Sequence, residues 1–157
     1  MKHPVLYIEL NSSSCLLPMV GEHLYKLGDM TCYKYKGVIY ALSCDSSTAL
    51  QLINSFDGDV VVDISTLNSD NALVFNQCQK QLVIGSMKPW CKKDLFLFIN
   101  NMKGKINITS ITYLIKGRID ARELKKEYPY QSVSLPIIYD PFCLAEDDFN
   151  SLYYILE

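Results

Sequence analysis

Two short runs constrain the fold of this 157-residue chain more than anything else in it. Pro4-Val5-Leu6-Tyr7-Ile8-Glu9-Leu10 and Asp59-Val60-Val61-Val62-Asp63-Ile64 are β-branched, aromatic and almost unbroken by polar residues. Runs of that length and composition read as strands buried on both faces, and such strands need helices packed over them. A mixed α/β chain follows, and each run carries an acid at or near its end: Glu9 in the first, Asp63 in the second.

The stretch between them predicts more strands and one helix. Asn11-Ser12-Ser13-Ser14 is a turn cluster. Residues 15–20 read as a second strand in hairpin with the first, kept at an edge by Pro18. Residues 24–27, 31–35 and 38–42 read as further strands joined at Gly28-Asp29 and Lys36-Gly37. Asp45-Ser46-Ser47 offers N-cap oxygens to a helix striped by Ala49, Leu50, Ile53 and Phe56, which Asp57-Gly58 stops. A similar order then returns. Residues 72–75 and 81–84 read as strands, 92–102 as a helix, 106–115 as a strand, 118–127 as a charged helix and 133–139 as a strand interrupted by Pro136. A last helix starts at Asp140-Pro141 or at Glu146, with Phe149, Leu152, Tyr153 and Leu156 as its apolar stripe. The recurrence predicts two small lobes, residues 1–66 and 67–157.

Most catalytic chemistry lacks its residues. Only His3 and His23 are present, and neither has a partner nearby in sequence. No nucleophile elbow, zinc-protease helix or phosphate loop occurs, and Gly-x-Gly is absent among the seven glycines. Cys15, Cys32, Cys44, Cys78, Cys91 and Cys143 are widely and irregularly spaced, so no metal site is expected. They read as thiols behaving as small hydrophobes in an intracellular chain. No window reaches the ~18 apolar residues of a membrane span.

Charge is segregated along the chain. Residues 1–79 hold 4 basic and 8 acidic side chains, residues 80–126 hold 11 and 3, and residues 127–157 hold none and 6. Asymmetry of this kind bears on partners and steering rather than on fold. Within the basic stretch, Lys103 and Lys105 flank a turn, and Arg118, Arg122, Lys125 and Lys126 lie along one helix. Aromatic residues do not interleave with them as in a single-strand nucleic-acid binder, so a protein partner is expected and nucleic acid is not. Among the acids, Glu9 and Asp63 are the residue types a two-metal nuclease places on adjacent central strands, with Asp45 or one of Glu146, Asp147 and Asp148 to complete the set.

Two segments also carry a family resemblance. Val5 to Glu9 with the Asn11-Ser12-Ser13-Ser14 turn, and Val60-Val61-Val62-Asp63 with Ser65-Thr66-Leu67-Asn68, resemble the two phosphate motifs of the actin/ribonuclease-H-like superfamily. Leu10 and Asn11 stand where the first turn carries glycine, and Ser65, Thr66 and Leu67 stand where the second has a glycine run. A degenerate fold of this kind resembles the cytoplasmic domains of type II secretion and type IV pilus platform proteins, the GspL-like and PilM-like components. The resemblance implies two α/β lobes around a cleft; PilM-type members bind ATP, but with the loop glycines missing no cofactor, metal or catalysis is expected here. It implies a non-catalytic scaffold at the cytoplasmic face of the bacterial inner membrane, which it reaches through a segment beyond Glu157. It also implies docking of a secretion or pilus assembly ATPase and of a polytopic inner-membrane protein; a homo-oligomer stays open. The contrary expectation is a metal-dependent, ribonuclease-H-like nuclease using Glu9 and Asp63.

Overall fold

A computed structural model describes residues 3–138 and 144–156. The chain divides into two compact units, Met1–Gln77 and Cys78–Glu157, each with its own sheet. The residue 66/67 division expected from the sequence falls in the loop just before the last helix of the first unit.

In the first unit, β1 (Val5–Glu9) lies inside a five-stranded sheet, between β4 (Val38–Ala41) and β5 (Asp59–Asp63), and pairs in parallel with both. β2 (Leu24–Leu27) and β3 (Met30–Tyr35) extend the sheet beyond β4 as an antiparallel meander. Side chains alternate across a strand. Leu6 and Ile8 of β1 therefore join Ile39 and Ala41 on one face, beneath Ala49 and Leu52 of α2 (Ser46–Ser55). Tyr7 and Glu9 take the other face, where the Tyr7 and Tyr40 rings lie 5.6 Å apart. Asp45 caps α2 by accepting from the Thr48 N–H at 2.7 Å, and the predicted stripe residues Leu50, Ile53 and Phe56 pack at the margin of this core.

Three expectations for this unit are corrected. Residues 15–20 do not form a hairpin with β1. They contain a single helical turn, α1 (Leu17–Val20), with Pro18 near its start, where the missing N–H leaves no bond unmade. Residues 72–75 belong to a helix, α3 (Ala72–Gln77), begun by the Phe75 N–H donating to the Asn71 carbonyl. An apolar run this short does not distinguish strand from helix by periodicity. Finally, β5 is an edge strand. Val60 and Val62 pack on the core while Val61 is exposed, so its valine run is buried on one side only.

The second unit holds a parallel sheet in the order β6 (Leu82–Gly85), β7 (Thr112–Lys116), β8 (Gln131–Leu135). β7 is central, and its residues Thr112 to Ile115 are all buried. α4 (Pro89–Met102) connects β6 to β7 and buries Leu95, Ile99 and Met102. α5 (Arg118–Glu127) connects β7 to β8 and buries Ala121 and Leu124. A side chain on Gly85 would press against Leu95 and Ile115, so glycine sets how closely α4 approaches the sheet. Lys92 ties α4 to α5 through Glu127 at 2.7 Å and Glu123 at 3.3 Å.

The strand expected over 106–115 is shorter than its alternation suggests. Asn107 caps a turn, accepting from Thr109 N–H and Oγ1, and regular pairing starts only at Thr112. β8 begins before residue 133 and ends before Pro136, while Tyr139 lies outside the described residues. The final helix, α6 (Glu146–Leu156), takes the later of the two expected starts; Asp140 and Pro141 lie outside the described residues. Cys15, Cys32, Cys44, Cys78 and Cys91 carry thiols rather than disulfides, and Cys143 lies outside the described residues. Among the described residues, no helix is long and apolar enough to cross a membrane.

Candidate functional site

The carboxyl ends of parallel strands are where α/β proteins build their sites, because the loops that follow them gather at one edge. In the first unit, β1, β4 and β5 end at such an edge. Glu9 and Asp63 are register partners there, side by side at the last positions of β1 and β5. The pair that the sequence nominates is thus brought together.

The two acids have different surroundings. Glu9 is 1% exposed. Its Oε1 accepts from the Ser13 hydroxyl at 2.9 Å and its Oε2 from the Ser43 N–H at 3.2 Å. Asp63 is exposed; its Oδ2 accepts from the Tyr7 hydroxyl at 2.8 Å and its Oδ1 from the Ser65 N–H at 2.9 Å. Burial, reinforced by the hydrogen bond to Asp63, holds the Tyr7 phenol far above its ordinary pKa, so it stays a donor. The acids are therefore met by donors of this chain's own loops and strands.

The loops have the same character. Ser14, Ser43 and Ser65 follow β1, β4 and β5, and each has a left-handed backbone, with φ of 50°, 53° and 59°. Non-glycine residues are uncommon there and cluster at sites where surrounding contacts hold them. The contacts are visible: Ser14 Oγ lies 3.0 Å from Ser43 Oγ, and the Ser43 and Ser65 amides donate to the two acids. Four further loop amides are engaged by side chains of their own loops. Ser13 N–H donates to Asn11, Asn68 N–H to Asn71, and both Asp70 and Asn71 N–H to Asn68. Asn71, itself buried, also donates to the Thr66 carbonyl at 3.0 Å. The second loop is thereby closed on itself by side chains, where a phosphate loop would present bare backbone.

Asp45, a candidate third acid, is taken up as the α2 cap, and its hydrogen bonds from Thr48 and Ser47 hold its carboxyl below the usual range. Glu146, Asp147 and Asp148 form the first turn of α6 in the second unit. Among the described residues, no three His, Cys, Asp or Glu side chains are grouped to hold a metal. Cys44, beside the edge, is no activated nucleophile: burial pushes its thiol up to about 11, helped by Cys32 and Asp45. His23 stacks on Tyr35 with ring centres 5.2 Å apart.

The predicted basic residues lie in the second unit and are all exposed, but they do not form one cluster. Lys103 and Lys105 follow the C-terminus of α4, which runs back toward the start of β7. Arg118 opens α5 at the opposite edge, where β7 ends, and Arg122, Lys125 and Lys126 follow along the helix. Lys92 takes both Glu123 and Glu127, and these four residues of α5 make no ion pair among the described residues. Sequence reasoning missed Lys88. It is far from Lys116 and Arg118 in sequence, yet the three line one groove of about 590 Å3 because consecutive parallel strands end at the same edge.

No family model matches the sequence, and no curated protein matches it.

Proposed function

We propose that this chain is a non-catalytic protein-binding scaffold of a bacterial pilus assembly or secretion machine. In this reading it is a degenerate member of the actin/ribonuclease-H-like superfamily that has kept acid-ended strands and closed its loops. It works at the cytoplasmic face of the inner membrane, where it docks an assembly ATPase and a polytopic inner-membrane protein. The observation that carries the non-catalytic part is the partnered edge: both Glu9 oxygens, and the Asn68 and Asn71 amides of the loop after β5, bond within the chain. A buried polar group that is fully partnered stabilises the fold, and re-aiming it at a ligand requires breaking those bonds first. Arg118, Arg122, Lys125 and Lys126, exposed and without an ion pair among the described residues, support the docking part, since steering charges act when solvent-facing.

The test is capture. Full-length chain is used as bait on detergent-solubilised inner membranes and cytosol of its own cell, alongside an Arg118→Glu/Arg122→Glu variant. Specific recovery of an assembly ATPase or polytopic membrane protein, lost in the variant, is expected. Recovery of neither ends the scaffold reading. One observation favours the nuclease alternative, namely the in-register placement of Glu9 and Asp63. Incubation with Mn²⁺ and labelled DNA or RNA decides it: cleavage by wild type that Glu9→Gln abolishes would install the nuclease in place of the scaffold.

A further inference from the structure

The second unit carries an uncovered apolar stripe at one end and a basic-rimmed apolar groove at the other. The stripe is on α6. Its buried residue is Ile155, whereas Phe149, Tyr153 and Leu156, spaced i, i+4, i+7, are 59%, 56% and 63% exposed. Residues at that spacing share one face of a helix. The Phe149 and Tyr153 rings stack at 6.4 Å, making a continuous surface. Glu146, Asp147 and Asp148 fill the first turn, and α6 has no basic residue.

That chemistry selects the occupant. Helices that lie on bilayers combine an apolar face with lysine and arginine, because membrane surfaces are anionic. An acidic helix is repelled by them. The complement of α6 is an apolar groove with a cationic rim, and this chain possesses one. Leu135, Pro136, Ile137 and Ile119 line it, with Lys88, Lys116 and Arg118 around them; Asp120 is the one acid in the lining, so the rim keeps a net positive charge. Ile119 and Ile137 are 80% and 67% exposed, and Trp90, with Lys88 Nζ over its ring, adds a third exposed anchor beside it. Exposed aliphatic and aromatic groups clustered within a polar rim mark interaction surfaces. Gly117, with φ of 103°, lets the chain turn sharply from β7 into α5 so that Lys116 and Arg118 both reach this rim.

A helix cannot fill the groove of its own molecule in this arrangement. Tyr154 and Ile155 line a pocket with Gln81, Thr112 and Gln131, where the three parallel strands begin. The groove lies where β7 and β8 end. Strands of this length separate the two edges by roughly 15 Å. We therefore propose that the chain self-associates head to tail, with α6 of one copy seated in the Lys88/Lys116/Arg118 groove of the next. The interface is heterologous, so each copy has one donor and one acceptor end, and association continues beyond the dimer unless a ring closes. The inference is independent of the scaffold reading, because it needs no foreign partner.

Sedimentation velocity of the full chain over ~1 µM to ~1 mM, the range in which a small interface titrates, reads it directly. Wild type is expected to form dimers and larger species as concentration rises, and 0.5 M salt is expected to weaken them roughly tenfold by screening. A donor variant, Phe149→Gln/Tyr153→Gln, and an acceptor variant, Lys116→Glu/Arg118→Glu, change only exposed positions; circular dichroism verifies that both fold. Each alone should associate at least ~30-fold more weakly, as loss of interface anchors does. Mixed one to one, they should form dimers and nothing larger, since the mixture holds one intact helix and one intact groove per pair. A wild type that stays monomeric overturns the proposal. So does association that either variant leaves unchanged, or a mixture that remains monomeric.

Discussion

Replacing Glu9 by glutamine tests the closed edge through the sign of its effect on stability. The change alters volume little but turns one acceptor oxygen into a donor. Two donors meet this side chain, the Ser43 N–H at 3.2 Å and the Ser13 hydroxyl at 2.9 Å. The backbone N–H cannot rotate, so the glutamine oxygen stays with Ser43. The new NH2 then faces Ser13 Oγ, which must turn to accept. One further amide proton has no acceptor in the contacts Glu9 makes at this 1%-exposed position. Rearranging a hydrogen bond costs about 1 kcal/mol and an orphaned buried donor about 1–3 kcal/mol, so a net loss of at least about 2 kcal/mol is expected. Glu9→Ala orphans both donors and leaves a hole, and should lose about 3–4 kcal/mol.

The assay is urea unfolding of the full chain in EDTA. With m near 2 kcal/mol/M, a 2 kcal/mol loss lowers the first unit's midpoint by about 1 M. The opposite sign follows if Glu9 and Asp63 are instead poised for a cation. Two like-charged groups crowded together without their ion repel, and removing one of them stabilises the fold. A glutamine variant as stable as wild type, or more so, refutes the structural role assigned to Glu9.

Other outcomes follow from the same geometry. The Tyr113 hydroxyl is buried with no hydrogen-bond partner among the described residues, so Tyr113→Phe should raise stability by about 1 kcal/mol in the same urea assay. Burial, then Tyr130, pushes the Tyr113 phenol up to about 12. A raised pKa means that this contribution to stability is complete below the unfolded value of about 10 and is lost as pH climbs toward 12, so the gap between wild type and Tyr113→Phe should widen over that interval in alkaline melts. Asp45, with its pKa lowered by the Thr48 and Ser47 bonds, works in the other direction. Its cap stabilises α2 above the ordinary carboxylate range of pH ~4 and fades as pH falls through the folded value, so Asp45→Ala should lower helical circular dichroism stability at pH 7, and its gap from wild type should shrink steadily as pH is lowered below ~4. Thiol labelling followed by mass spectrometry should modify exposed Cys15 first, with Cys44, raised to about 11, and fully buried Cys32 lagging by at least tenfold at pH 7.5.

What the sequence carried well was local. Unbroken apolar runs marked β1 and β5, paired turn glycines marked the β2–β4 meander, and a capping aspartate with a period of 3.6 marked α2. The failures have a shared cause. At residues 15–20 and 72–75 the apolar run is short enough to suit a strand or a helix, and what decided was a neighbour: Pro18 entering a helical turn, Asn71 starting one. Pairing was less legible still. Nothing local states that β1 takes β4 as its parallel partner, because that depends on how the connections 10–23 and 42–58, with α1 and α2 inside them, route the chain. The juxtaposition of Glu9 with Asp63 belongs to the same category, being set by a register 54 residues apart in sequence.

Closure of the edge could not be read from residue types alone, since serine and asparagine suit an open site as well as a shut one. Those side chains serve a ligand if they point outward and the backbone if they point inward. Here Asn68 and Asn71 exchange bonds with each other's amides, and Asn71 reaches Thr66 as well. Glycine in such loops leaves the amides for a guest, whereas asparagine supplies the acceptor itself. The absence of glycine at Ser65, Thr66 and Leu67 thus matters less for bulk than for what replaces it: the loop carries its own acceptors and shuts. Such a loop holds its shape without a ligand.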